Sequence, residues 1–317
     1  MEVTKNRFAI SFNGGKESLI VLHKYGELNI PADQRQNVIF RVDKNDDFPE
    51  VNDYIDFMCD KYHIKLVKFC DMKDSIVQLK SLYNVDTVIL GCRRTDPYCS
   101  ELKEYQMTDS SWPSIMRFNP LLDWSYKEVW NYIDLHQLPV CKLYEKGYTS
   151  LGSRYNSFPN YTLFDKKDAY KHARELADET MERCGRIKHK LGLEFESKCV
   201  KGKGVATKLG FPTANLNIDK YESTILYLEG VYYGYCVLKN IKYKMVLIGG
   251  KNPEYGDSTI EVHILDFDYC LLYDQSLSVE IIGFIRKMKK FETIDILIEA
   301  INNDIVIAKY HLKDEKQ

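Results

Sequence analysis

Two different hydrophobic rhythms divide this chain, and they constrain its fold more than any single motif does. Up to about residue 135, short apolar runs alternate with helical patterns. Phe8–Phe12, Val38–Val42, Ile64–Phe69 and Val85–Gly91 are strand-like runs rich in β-branched and aromatic residues. Helical patterns follow them, from Leu19, over Pro49–Tyr62 and over Lys73–Leu82, and a further amphipathic helix is expected over Trp124–Leu135. Strands separated by helices imply an α/β doubly wound parallel sheet. After Leu193 the rhythm changes to Gly230–Leu238, Tyr243–Ile248, Thr259–Leu265 and Leu277–Ile285, the spacing of a small antiparallel β-barrel or sandwich. A C-terminal helix is expected to place Ile294, Leu297, Ile298, Ile301, Ile305, Ala308 and Leu312 on one face, packed on the barrel. Between the two rhythms, Asp165–Lys190 is strongly charged with sparse apolar positions and reads as a solvent-facing helix or a tether.

Composition narrows the function classes. The 317 residues suffice for about two domains, each able to bury its own core. With 44% hydrophobic and 28% charged residues the chain is neither disordered nor membrane-spanning, because no apolar stretch approaches the length of a spanning helix. A net charge of −2 argues against a broad nucleic-acid surface but leaves room for local basic sites. The first residues contain no apolar signal core, so a cytoplasmic location is expected. The nine cysteines form no C-x-x-C pair and no zinc-like spacing, and are read as reduced and mostly buried.

Ser11-Phe12-Asn13-Gly14-Gly15-Lys16-Glu17-Ser18 follows a strand and opens a helix. A helix start leaves backbone N–H groups unpaired, glycines let the main chain approach a phosphate, and Lys16 would add a mobile positive charge. The Walker A spacing is absent, and a plain glycine turn accounts for the spacing equally well. Arg93 and Arg94 follow the end of a strand, where ligands bind in open α/β sheets, and guanidinium forks suit phosphates. Asp96 precedes Pro97 and also fits a turn start. Asp43-Lys44-Asn45-Asp46-Asp47 mimics the start of a calcium loop, but Phe48 and Tyr54 stand where Gly and Glu are required, so that reading is rejected. Trp124 reads as a packing residue.

These segments carry a resemblance. The glycine loop is similar to that of the ATP pyrophosphatase superfamily, with an adenine nucleotide α hydrolase-like sheet, and more specifically to eukaryotic-type FAD synthases, the FMN adenylyltransferases. Gly91-Cys92-Arg93-Arg94-Thr95-Asp96-Pro97 resembles the family's G-x-R-R-x-D-P segment. Asn119–Tyr126, Gly147–Arg154 and Glu182-Arg183-Cys184-Gly185-Arg186 follow in the family order. The resemblance implies that Ser11, Asn13, Gly14, Gly15, Lys16, Glu17 and Arg154 serve ATP and its phosphates, with Lys16 also catalytic. It implies that Arg93, Arg94, Asp96, Arg183 and Arg186 serve the flavin, and that the region from Arg41 to Asp47 lies beside the adenine. The family usually has Asp where this chain has Glu17.

Lys201-Gly202-Lys203-Gly204 precedes Gly210-Phe211-Pro212-Thr213-Ala214-Asn215, which resembles the signature of riboflavin kinase. Gly230–Gly234, Asn252-Pro253, Glu261-Val262-His263-Ile264 and Gly283–Arg286 continue the match in order. Phosphoryl transfer needs a phosphate cradle, a metal and a positioned nucleophile. In the light of that resemblance Gly202 and Gly204 would cradle ATP, Thr213 and Asn215 would hold Mg²⁺, Arg286 would contact flavin, and Glu261 would take the proton of the ribityl 5′-hydroxyl. His263, on the same strand face as Glu261, reads equally as structural or catalytic. Val205-Ala206-Thr207-Lys208 departs from the arginine and glycine common in related kinases.

The resemblance therefore implies an FMN adenylyltransferase over 1–190 and a riboflavin kinase over 191–317. Together they would convert riboflavin to FMN and FMN to FAD, using MgATP, with small-molecule substrates and neither nucleic acid nor membrane as partner. Rival readings stand beside it. Only one half is active, with Glu17 and the Val205–Lys208 loop the suspects; or the first half is a PAPS reductase or RNA-modifying relative, which would call for a dedicated redox or thiolating cysteine; or the chain only binds flavin.

Overall fold

The computed structural model describes residues 7–165, 169–187, 191–218, 228–251, 256, 258–270 and 272–313. By compactness the chain divides into Met1–Tyr144 and Glu145–Gln317.

The first unit is built on a six-stranded sheet ordered β3-β2-β1-β4-β6-β5. Its strands are β1 (Arg7–Ser11), β2 (Val38–Val42), β3 (Leu66–Phe69), β4 (Val85–Ile89), β5 (Tyr105–Met107) and β6 (Met116–Phe118). Helices α1 (Lys16–Tyr25), α2 (Pro49–Tyr62), α3 (Met72–Tyr83) and α4 (Tyr126–Leu135) connect and cover it. Local chemistry sets their ends: Pro49 opens α2, the Asp71 side chain caps α3, and Ser125 with Glu128 forms a capping box on α4. All neighbouring strands pair in parallel except β5, which runs antiparallel to β6 at one edge. That edge is a departure from the all-parallel expectation, and β5 and β6 are too short to carry a periodic signal. Ala9, Phe40 and Val88 from three central strands pack with Leu79 of α3 into one core.

The second unit contains a closed barrel ordered β10-β13-β12-β11-β14-β9. The strands are β9 (Glu194–Val200), β10 (Ala214–Leu216), β11 (Gly230–Leu238), β12 (Ile241–Lys251), β13 (Ser258–Ile264) and β14 (Ser276–Arg286), all antiparallel to their neighbours. Closure comes from β9 and β10, which the alternating pattern did not reveal. A one-turn helix α5 (Val205–Lys208) sits between them, and α6 (Ile294–His311) follows the barrel. Inward residues such as Tyr232, Leu247, Val262 and Leu277 are buried in the barrel core.

Two expectations are corrected here. The described residues of 165–190 hold no α-helix: β7 (Phe164–Asp165) pairs with β8 (Ala169–Tyr170), and short 3₁₀ turns follow. Ala173 and Leu176 are buried at isolated positions, so this segment buries single apolar side chains rather than a helical stripe. The compactness split at Tyr144 is a separate division from the 190/191 one argued from motifs. On α6, Ile307, Ala308 and Leu312 pack on the barrel with Val231 and Ile285, but Ile294 is 62% exposed. Asn252-Pro253 lies outside the described residues.

Candidate active sites

In the first unit, the chain leaves β1 and turns at Gly14, whose φ is +80°. A Cβ there would lie 2.9 Å from Val51 Cγ1, so glycine supplies both the left-handed turn and the close approach to α2. The amide of Gly15 donates to Asn13 Oδ1 at 3.0 Å, and that of Lys16 to the Tyr144 hydroxyl at 2.8 Å. Two amides at the helix start are thus held by side-chain oxygens, the kind of acceptor that an anion offers.

Lys16 is not the mobile charge expected. It is 2% exposed, its Nζ lies 2.9 Å from Glu17 Oε1, and it sits 5.0 Å from the centroid of the Tyr126 ring. Arg93, also 2% exposed, brings its Nε to 3.1 Å from the same Glu17 oxygen. Burial alone would push the Glu17 carboxyl up, but Lys16 and Arg93 outweigh it and hold the group below its ordinary range. The Tyr144 phenol is pushed well up, first by burial and then by the Glu17 charge. Gly91 makes the junction possible: a Cβ there would lie 2.8 Å from the Glu17 carbonyl carbon and 2.9 Å from the Ser18 amide nitrogen.

Arg93 and Arg94 have different partners. Adjacent residues diverge at the strand end, and Arg94 turns outward to Asp123, with Nε 2.5 Å from Oδ1, and to the carbonyls of Ser100 and Leu102. Asp96 Oδ2 accepts from the Arg93 amide at 3.0 Å, closing a turn. Arg41 is buried and gathers Asp43, Asp47 and Asn52, so these carboxylates serve an arginine. Trp124 is half-buried, edge-on to Tyr132.

In the second unit, Arg154 is exposed and lies over the Tyr155 ring at 4.7 Å. Arg183 donates to Ser150 Oγ at 3.3 Å. Arg186 donates to the carbonyls of Leu151 and Asn156, and a Cβ at Gly152 would overlap its guanidinium. Arg186 therefore staples Gly147–Arg154 to the Glu182–Arg186 segment.

On the barrel, Asn215 of β10 lies directly opposite Glu261 of β13. Thr213 Oγ1 donates to Glu261 Oε2 at 3.0 Å, and His263 Nδ1 donates to the Pro212 carbonyl at 2.8 Å. His263 is thus a brace on the Pro212–Asn215 turn. Gly202 lies against Asn215, where a Cβ would be 2.2 Å from Nδ2. A cavity of about 900 Å³ opens here, lined by Gly202, Gly204, Asn215 and Glu261 and, from α6, by Leu297 and Ile301. The first turns of α6 therefore wall a cavity, while its last turns pack. Val205–Lys208 forms a helical turn that begins at Gly204, whose φ is +70°. Arg286, expected at the flavin, lines this cavity and gives both prongs of its fork to Asp304, at 2.9 and 2.7 Å, and both residues are buried.

Comparison with known proteins finds relatives for both parts of the chain. Residues 190–312 match the riboflavin kinase family model, and residues 68–159 match that of the phosphoadenosine phosphosulfate reductase domain. The chain is 34% identical over 190 residues to a probable FAD synthase of Schizosaccharomyces pombe, covering 57% of this chain and 71% of that one. Over 121 residues it is 36% identical to the riboflavin kinase of Homo sapiens, covering 36% of this chain and 77% of that one. The chain belongs to the FAD synthase and riboflavin kinase families. The fold of the first part is also that of Candida glabrata FMN adenylyltransferase, solved in complex with ATP, with a TM-score of 0.52 at 23% identity over 59% of this chain and 81% of that one. The reductase match carries no argument for sulfur chemistry, since relatives of the first part bear the FAD synthase name.

For an FAD synthase, two structural participants escaped the sequence reading. Tyr144 is 128 residues from Lys16, and Asn52 is 11 from Arg41. Neither lies in a segment that marks a ligand loop, and only the folded sheet brings them in.

Proposed function

We propose that this chain makes FAD from riboflavin in two steps. The second unit's barrel transfers the γ-phosphoryl of ATP to riboflavin, giving FMN and ADP. The first part then transfers AMP from a second ATP to FMN, giving FAD and pyrophosphate. The observation that carries this reading is Glu261, held by the Thr213 hydroxyl, on the wall of a cavity that the Gly202–Gly204 loop also lines.

In the kinase step, Glu261 accepts the proton of the ribityl 5′-hydroxyl as its oxygen attacks the γ-phosphorus. Thr213 holds the carboxylate by its hydroxyl, and His263 fixes the Pro212 carbonyl behind it. The amides of the glycine loop and Lys201 and Lys203 offer donors and charge to the phosphates. The donor set suits magnesium: a hydroxyl from Thr213 and an amide oxygen from Asn215 are hard oxygen ligands beside Glu261. No cluster of three or more histidine, cysteine or acidic groups occurs among the described residues, which fits an ion that takes its other ligands from nucleotide and water. When bound, that ion supplies charge neutralisation to the transferred phosphoryl group.

The adenylyl step needs no general base, because the FMN phosphate is already an anion near neutral pH. Its oxygen attacks the α-phosphorus of ATP, and pyrophosphate departs. Rate comes from positioning and preorganised charge. Lys16, Glu17 and Arg93 together carry one net positive charge in a buried place, where it is worth more than in water. Lys16 and Glu17 act here as positioning residues. Arg93 and Asp96 shape the flavin segment. Supplying riboflavin plus MgATP, and separately FMN plus MgATP, and separating the flavins by chromatography tests both halves. FAD from each mixture is expected, with FMN as the transient of the first.

A further inference from the structure

Asp96, Pro97, Tyr98 and Cys99 form a tight turn closed by the Cys99 amide on the Asp96 carbonyl at 3.2 Å. Pro97 takes the second position, and Tyr98, in the third, has φ +64°. A turn with proline second and a positive φ third is the type II arrangement, whose third place belongs to glycine or asparagine. A tyrosine there crowds its own backbone. Its ring gains nothing in exchange from the fold, since Tyr98 is 100% exposed. Sterics and solvation both favour glycine at this place, yet the chain carries a large aromatic ring. Strain held at a site over-determined by its surroundings goes with ligand contact more often than with packing. The surroundings are fixed: Asp96 bonds the Arg93 amide, and Arg93 is buried on Glu17.

We propose that Tyr98 is the stacking platform of the adenylyl-transfer site, its ring lying against the face of the isoalloxazine of FMN. The inference rests on the reading that the Arg93–Asp96 segment holds the flavin. The partner it fits is a flat, electron-poor heteroaromatic, for which an amphipathic phenol gives large contact area at small entropic cost. The left-handed backbone projects the ring away from the protein surface, so the ring is ready before the ligand arrives.

The test uses the full chain and FAD formation from supplied FMN, which reads only this site. Tyr98→Gly should raise the thermal midpoint, because the strain is removed, yet raise KM for FMN about tenfold with kcat little changed. Tyr98→Phe should restore the wild-type KM. KM for ATP and the rate of riboflavin phosphorylation should not move. A KM for FMN within about twofold of wild type in Tyr98→Gly overturns the proposal. Asp96→Ala separates the two ideas. If it weakens FMN while Tyr98→Gly does not, the stacking role fails and the site stands. If neither weakens FMN, both fail.

Discussion

Glu17 Oε1 and Arg93 Nε lie 3.1 Å apart although 76 residues separate them in the chain. This contact ties the glycine loop after β1 to the segment after β4, the two stretches that we propose for the adenylyl reaction. Lys16 shares the same carboxylate oxygen, so one acidic group orders two cations.

Removing that carboxylate's charge should release both. Glu17→Gln is expected to lower kcat for FAD formation from FMN at least tenfold. Glu17→Asp should keep most of it, since the charge remains one methylene short. Riboflavin phosphorylation by the same preparations serves as the internal control and should be unchanged.

The sign of the pH effect follows from the direction of the Glu17 shift. Its carboxyl is held below the usual range in the folded protein, so the triad contributes stability above the unfolded carboxylate range and loses it as pH falls through the folded value. Arg93→Ala should shrink that acid-sensitive component, leaving the part due to Lys16, and destabilise the first unit by about 3 kcal/mol, the scale for breaking a buried pair. Denaturant titrations at neutral and acidic pH measure both.

Gly91→Ala tests the packing that makes the contact possible. The new methyl meets backbone of α1 rather than a flexible side chain, so β4 and α1 must separate. FAD formation from FMN should fall by about a hundredfold, the cost of a misplacement near 1 Å.

His311 offers a pH test of the other unit. Burial pushes this imidazole down to about 4, and it stacks on Tyr233 with ring centroids 4.8 Å apart. An ordinary histidine titrates near about 6.5. The neutral ring is therefore favoured in the fold, and stability should decline from roughly that pH downward until the folded value near 4 is passed. His311→Gln should flatten the thermal midpoint across this window; a midpoint with unchanged slope would contradict the assignment.

Both sheets were legible in the sequence because their long strands carry clean periodicity. Val38–Val42, Gly230–Leu238 and the core of β14 fall where apolar runs place them. The short strands β5, β6 and β10 were not, since three residues cannot display a period and their pairing is set by neighbours. Among site residues, Thr213, Asn215 and Glu261 come together as the motifs imply, because strands β10 and β13 pair in that register. The directions of Lys16, Arg94 and Arg286 were not legible. A positive charge in a motif looks the same whether it meets a phosphate or a carboxylate, and the acceptors Glu17, Asp123 and Asp304 are fixed only by the fold. The buried fork of Arg286 has a stability consequence whatever else the residue contacts: Asp304→Ala should destabilise the barrel unit by about 3–5 kcal/mol.

The most direct test of the two-step account is the Glu261→Gln variant of the full chain, supplied with MgATP and either riboflavin or FMN. The account predicts that riboflavin remains unconverted, while FMN still becomes FAD at the wild-type rate. Conversion of riboflavin to FMN at an undiminished rate would contradict it.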